Sequence, residues 1–297
     1  MTTATLAIDS RNQLGEGILW CDRARALWWV DITGARLWRH HPGSGDARSW
    51  PMPQPLACIA LTDSGRLLLG LAKGLHLTDI DMTTPPVDGS TLSLQPLAEI
   101  EADNSHTRLN DGRADRFGGF VFGTKNERGD AAKTGAFYRW HPQHGLHALA
   151  LPGAWIPNSI GFSPDGRTMY FCDSPERRIL YCDYDERGAA SSPRLFATID
   201  APGEPDGCTV DAEGHPWSAQ WAAGRVVRYR PDGTIERIVS VPVENPSCCA
   251  LADDALYITS AREGMSEAAL SQSPQAGGVF VAALERAFGL PESRVAL

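Results

Sequence analysis

The sequence predicts an all-β protein: a six-bladed β-propeller with four-stranded blades and a metal site in its central channel. Three observations lead there. Six times a polar or small residue is followed by apolar residues two and four positions on, and then by an Asp-containing turn. The copies read EGILWCDR from Glu16, ACIALTDSG from Ala57, NDGRADRFGG from Asn110 (degenerate), NSIGFSPDG from Asn158, DGCTVDAEG from Asp206 and SCCALADD from Ser247. Their leading residues are spaced by about 41, 53, 48, 48 and 41 residues, the length of a four-stranded blade. Helix signals are scarce, whereas short β-branched and aromatic runs recur between Gly, Pro, Asp and Asn. Eight blades in 297 residues would leave only about 37 residues each, and a sandwich would not repeat with this period.

The first unit opens at Glu16 and continues through ALWWVDI; the second opens at Ala57 and continues through RLLLGLA. GFVFGT and GAFYRW follow Asn110, TMYFCD and RILYCDY follow Asn158, RVVRYR follows Asp206, and ALYITSA and GGVFVAAL follow Ser247. Turns between strands of one unit fall at Asp63-Ser64-Gly65, Asp165-Gly166, Asp211-Ala212-Glu213-Gly214 and Asp232-Gly233. Residues 4–8 alternate weakly and are expected to lend a strand to the last blade, closing the ring. Two loops, 125–134 and 264–276, exceed hairpin length; each either folds over the channel mouth or lies solvated on the surface.

The repeat runs nearly end to end without a composition break, so residues 1–297 read as a single domain. A formal charge of −9 with no basic cluster argues against a nucleic-acid partner. No run of 18 apolar residues and no basic or apolar leader is present, which predicts a soluble, cytoplasmic protein with no membrane partner. The seven cysteines form no CxxC pair and sit inside apolar strand patterns, as reduced core residues do. Cys248 and Cys249, adjacent on a strand, point to opposite faces, which disfavours a bond between them.

If each leading residue opens the innermost strand of its blade, then Glu16, Ala57, Asn110, Asn158, Asp206 and Ser247 ring one end of the channel. Two carboxylates and two amides are costly to crowd on one axis without a positive charge between them, so the ring reads as a cation site. Glu16, Asn158 and Asp206 offer three oxygens from three blades, a set suited to Ca²⁺, Mg²⁺ or Mn²⁺ and open to Zn²⁺ or Fe²⁺. Singly, each has a structural reading: Asp206 as a turn residue, Asn158 as a strand-entry cap, Glu16 as an exposed loop acid. Their shared phase in the repeat favours the site. His40-His41 and the HPQHGLH hairpin do not have zinc-site spacing. Serine-hydrolase elbow, Walker loop and dinucleotide glycine fingerprint are all missing.

Beyond this, the chain resembles the gluconolactonase family that includes regucalcin, or senescence marker protein. The resemblance rests on GEGILW, RLNDGRAD at 108–115, GTKNE from Gly123, PNSIGFSPDG, EPDGCTVDAEGHPW, GRVVRYRPDG, SCC, and AREGM followed by QAGGVF, and it covers almost the whole chain. It implies a six-bladed propeller whose metal is held by Glu16, Asn158 and Asp206, and a small-molecule sugar lactone contacted by Arg108 and Asn110. Just after the Gly-Thr pair many relatives carry Met and a nearby substrate-facing Glu; here stand Lys125, Asn126 and Glu127, so Lys125 and Glu127 join the expected substrate wall.

The expected reaction is hydrolysis of an aldonolactone, with a divalent ion polarising the carbonyl and Asp206 accepting a proton from the attacking water. Glu16 is the alternative base, whereas Asn158 only coordinates through its carbonyl oxygen. The alternatives are a broader metal-dependent esterase or organophosphate hydrolase and a calcium-binding propeller without turnover.

Overall fold

In the computed structural model, which describes residues 2–297, six sheets stand around a central channel. Their innermost strands are Gly15–Cys21, Leu56–Thr62, Thr107–Ala114, Pro157–Phe162, Glu204–Val210 and Pro246–Ala252, which open blades 1 to 6. Each is followed by antiparallel neighbours running outward. The six leading residues of the repeat all fall at the start of these strands, as the spacing predicts. Inner strands are buried almost throughout because a neighbouring blade covers each face, while outer strands such as Gly145–Ala148 stay largely exposed.

Alternation along a strand explains how one blade grips two neighbours. Trp28 and Trp29 are consecutive on blade 1. Trp28 stacks on Trp50 and packs with blade-2 residues such as Leu69, whereas Trp29 stacks on Trp38 and packs with Cys248 and Ala250 of blade 6. Cys248 and Cys249 likewise enter separate clusters, and all seven cysteines are free and buried.

The ring is closed as expected: Thr5–Ile8 pairs antiparallel with Val279–Ala283 as the outer strand of blade 6. Two further ties were not expected. Thr2–Thr3 adds parallel to Ile235–Ser240 of blade 5, and Arg294–Val295 adds parallel to Leu56–Thr62 of blade 2. Residues 284–297 form a strap across the channel end opposite the leading residues. Phe288 O accepts from Ala212 N of blade 5 (2.9 Å), Ala296 N donates to Gly118 O of blade 3 (3.0 Å), Asp63 N of blade 2 donates to Val295 O (3.1 Å), and Arg294 reaches Asp22 of blade 1. The loop 264–276 contains the one α-helix among the described residues, Glu267–Gln272, capped by Ser266 Oγ, which accepts from Ala269 N.

The seam between blades 6 and 1 depends on Trp29, which is fully buried. Trp29→Ala is expected to cost about 3–5 kcal/mol of unfolding free energy, measured by urea denaturation. Val87→Ala, at a position 76% exposed, should stay within about 0.5 kcal/mol of the parent. Equal effects at the two positions would show that seam packing does not limit stability.

Candidate active site

Every inner strand carries one more residue than its partner just at the leading position. The register shifts lie between Glu16 and Leu19, Leu56 and Cys58, Leu109 and Gly112, Asn158 and Gly161, Pro205 and Cys208, and Pro246 and Cys249. Such a bulge bends the strand and re-aims side chains, and here it turns Glu16, Asn110, Asn158 and Asp206 towards the channel, while Ala57 and Ser247 stay buried. Two bulges need a left-handed residue. Gly17 (φ 56°) adopts it at no steric cost, while Ser159 (φ 56°) is held there by its Oγ, which donates to Asp206 O at 2.6 Å and ties blade 4 to blade 5.

The amides are oriented by a chain of hydrogen bonds across three blades. Arg108 Nη1 donates to Asn110 Oδ1 (3.1 Å), Asn110 Nδ2 donates to Asn158 Oδ1 (2.9 Å) and Pro157 O (3.0 Å), and Asn158 Nδ2 donates to Ser174 Oγ (2.9 Å). Ser174 Oγ spends its own proton on Pro205 O (2.7 Å). It must therefore accept from Asn158, which fixes that amide with its oxygen on the Asn110 side and one lone pair uncommitted.

Glu16 and Asp206 are buried, their carboxyls bear on one another, and neither forms an ion pair among the described residues. Burial, then the charge of Asp111, pushes Glu16 up to about 8. Burial, then the charge of Glu16, holds Asp206 well above the usual carboxylate range. Asp111, whose oxygens accept from Gly112 N (2.8 Å) and Ile160 N (2.9 Å), is also raised by burial. Glu16 and Asp206 thus face one cavity with little solvation, and with the free lone pair of Asn158 they offer an oxygen-donor set that fits a hard divalent cation, while Asp111 stands beside them with both oxygens engaged.

Above this floor is a cavity of about 200 Å³. Glu16, Asn110, Lys125, Asn158 and Asp206 line it, so five of the seven expected residues converge on one space. Arg108 and Glu127 stand behind Asn110: Arg108 Nε donates to Glu127 Oε1 (3.0 Å), Arg108 is buried, and neither side chain reaches the cavity wall. The upper wall includes Ile32, Ser174, Trp221 and Glu263, which the motif reading passed over. With Lys125 they follow their blade's leading residue by 15 or 16 positions, the end of each second strand, so a second phase of the same repeat marks them. A wider depression of about 690 Å³ over blade 5 is lined by none of the residues of the channel floor.

Another acidic group, Asp211 with Glu213 and His215, also brings ligand-type atoms together. Its lone pairs are already engaged. Asp211 Oδ1 accepts from Glu213 N and His215 N, Oδ2 accepts from Trp217 Nε1 and from Arg228, and Glu213 pairs with Arg228 and Arg286. Asp115 of blade 3 is wired in the same way, to Phe117 N, Gly119 N, Arg139 and Tyr184. Both occupy the turn between first and second strands, at the end of the channel away from the leading residues, and act as turn staples.

The SMP-30/gluconolactonase/LRE-like family model matches residues 14–262. The chain is 50% identical to L-arabinolactonase of Azospirillum brasilense over 297 residues, 99% of this chain and 95% of that one. It is 32% identical to 6-deoxy-6-sulfogluconolactonase of Pseudomonas putida, covering 94% of each. The crystal structure of a calcium-binding protein, regucalcin, from Agrobacterium tumefaciens superposes with a TM-score of 0.90 at 29% identity, over 100% of this chain and 98% of that one. Fold, repeat and family model agree over the same residues, and the chain belongs to the SMP-30/gluconolactonase/LRE-like family.

Proposed function

We propose that this protein is a divalent-metal-dependent hydrolase of neutral aldonolactones, with a pentonolactone as substrate. The observation that carries the reading is that Glu16, Asp206 and the oriented Asn158 oxygen line the floor of one small cavity, with no ion pair to either carboxyl among the described residues. The 50% identity to L-arabinolactonase over nearly the full length supports the five-carbon sugar.

Held by Glu16, Asn158 and Asp206, the cation would polarise the lactone carbonyl and stabilise the negative charge that develops on its oxygen. Asp206, on the cavity floor beside the cation, accepts the proton of the attacking water. Glu16 holds its place through Gly17 N, which donates to Oε2 at 3.0 Å. Asn110 has spent both Nδ2 protons within the protein but keeps one Oδ1 lone pair, so it takes a hydrogen bond from a sugar hydroxyl. Arg108 and Glu127 hold Asn110 in that pose from behind. Ile32, Ile156 and Trp221 supply apolar wall that limits water around the reacting carbonyl.

Glu16→Ala and Asp206→Ala are each expected to lower kcat/KM on L-arabinono-1,4-lactone by at least about 100-fold, or roughly 2.7 kcal/mol, with an unchanged circular dichroism spectrum. Retention of near-parental turnover by Asp206→Ala at saturating metal would overturn the assignment, and a panel of lactones, aryl esters and phosphotriesters would reveal a broader hydrolase.

A carboxyl whose pKa is raised by folding binds more protons in the folded chain than in the unfolded one between its two pKa values, so stability falls as pH climbs through that window. For Glu16 the window runs from 4.5 to about 8. In chelator, the melting temperature should therefore fall between pH 5 and pH 8, and an added divalent ion should raise it more at pH 8 than at pH 5. An equal shift at both pH values would place the ion away from Glu16 and Asp206.

A further inference from the structure

The cavity wall holds a single cation, and it is Lys125 rather than Arg108. Arg108 is committed to Glu127, Leu109 O and Asn110. Lys125 lies directly across the strand pair from Arg108, at the end of the second strand of blade 3, and its Nζ donates to no protein atom among the described residues. Glu263 of blade 6, Glu127 and Asp206 act on it through space only. Its ammonium therefore shares the cavity with the carboxyl floor and keeps its protons uncommitted.

Opening a lactone needs more than attack at the carbonyl. When the bond between carbonyl carbon and ring oxygen breaks, the electron pair stays on the ring oxygen, and an alkoxide is too basic to leave unprotonated near neutral pH. Asp206 faces the opposite task, since it receives a proton. Asn110 has no donor left, Ser174 has spent its proton, the second Nδ2 proton of Asn158 belongs to a neutral amide too weakly acidic to give it up, and among the described residues no other lysine or arginine lines the space.

We propose that Lys125 is the proton donor to the departing ring oxygen. This rests on the lactonase reading and adds to it the second half of the reaction. The oxygen of water bonds to the carbonyl carbon as one of its protons passes to Asp206. The bond to the ring oxygen breaks as that oxygen takes a proton from Lys125 Nζ. The proton on Asp206 then returns through water to Lys125, so one water is consumed, one hydroxy acid is formed and no further reactant is needed. Burial, then the charge of Arg108, lowers the affinity of Lys125 for its proton, while Glu263, Glu127 and Asp206 pull the other way. Transfer to a developing alkoxide is accordingly easier than from a surface lysine.

The test compares kcat and KM of the full-length metal-loaded protein, Lys125→Met and Lys125→Arg on L-arabinono-1,4-lactone from pH 6 to 10, with melting curves as the folding control. Arginine keeps the charge but does not release a proton in this range. Both variants should melt like the parent and lose about 100-fold or more in kcat, with KM changed by less than about threefold, and the alkaline fall of the parent's kcat should vanish in both. Recovery of kcat by Lys125→Arg to within about fivefold would show that charge alone suffices and overturn the proposal, as would a loss confined to KM. An active parent beside either of those results sinks the role of Lys125 alone, whereas an inactive parent overturns the lactonase reading and this inference together.

Discussion

One extra residue per inner strand is the constraint on which the site depends. In an unbroken strand, Asn110 and Asp111 would face opposite sides, as would Asp206 and Gly207. The bulge frees them from alternation, so four strand starts deliver Glu16, Asn110, Asn158 and Asp206 to one cavity while the rest of each strand stays buried between neighbouring blades. It also releases backbone N–H groups from the ladder, and these are claimed by the acids themselves: Gly17 N by Glu16, Gly112 N and Ile160 N by Asp111. The irregularity that gathers the carboxyls thus helps to hold them.

Gathering acids in a buried place works against folding unless a cation offsets it, and the described residues supply none within ion-pair distance of Glu16 or Asp206. Other buried charges are treated differently. Asp115 meets Arg139, Asp211 meets Arg228, and Arg113 meets Glu292 from the C-terminal strap. The contrast separates structural acids, neutralised inside the fold, from those left for an outside partner. Arg113 also tempers Asp111 from below, so the floor is graded from compensated to uncompensated charge towards the cavity.

Much of this was legible in the sequence, because a repeat of about 41 to 53 residues fixes both blade number and the phase of the leading residues. Ring closure by residues 4–8 was legible too, from their alternation. The contact of Asp111 with Ile160 N of blade 4 was not, because it depends on the bulge, and the bulge leaves no composition signal. The placement of Arg108 behind Asn110 was hidden for a related reason: it follows from its pairing with Glu127 across the strand pair. Thr2–Thr3 and Arg294–Val295 are too short to carry any periodicity. The upper wall was readable in principle, since Ile32, Lys125, Ser174, Trp221 and Glu263 share a phase, but a search for charged motifs does not look for a phase shared by residues so unlike one another.

The two chain ends are anchored far from each other around the ring, the first at blades 5 and 6, the last at blade 2. Stacked repeats with free ends can fray one unit at a time, whereas here the terminal unit on either side is already locked to something else. Peeling blade 1 from blade 6 would still leave the strap holding blades 5, 3 and 2 together, so no first step towards disassembly is small. This connectivity favours unfolding as a single cooperative unit in spite of the modular sequence, with a disturbance at one seam passed around the hub instead of being absorbed locally.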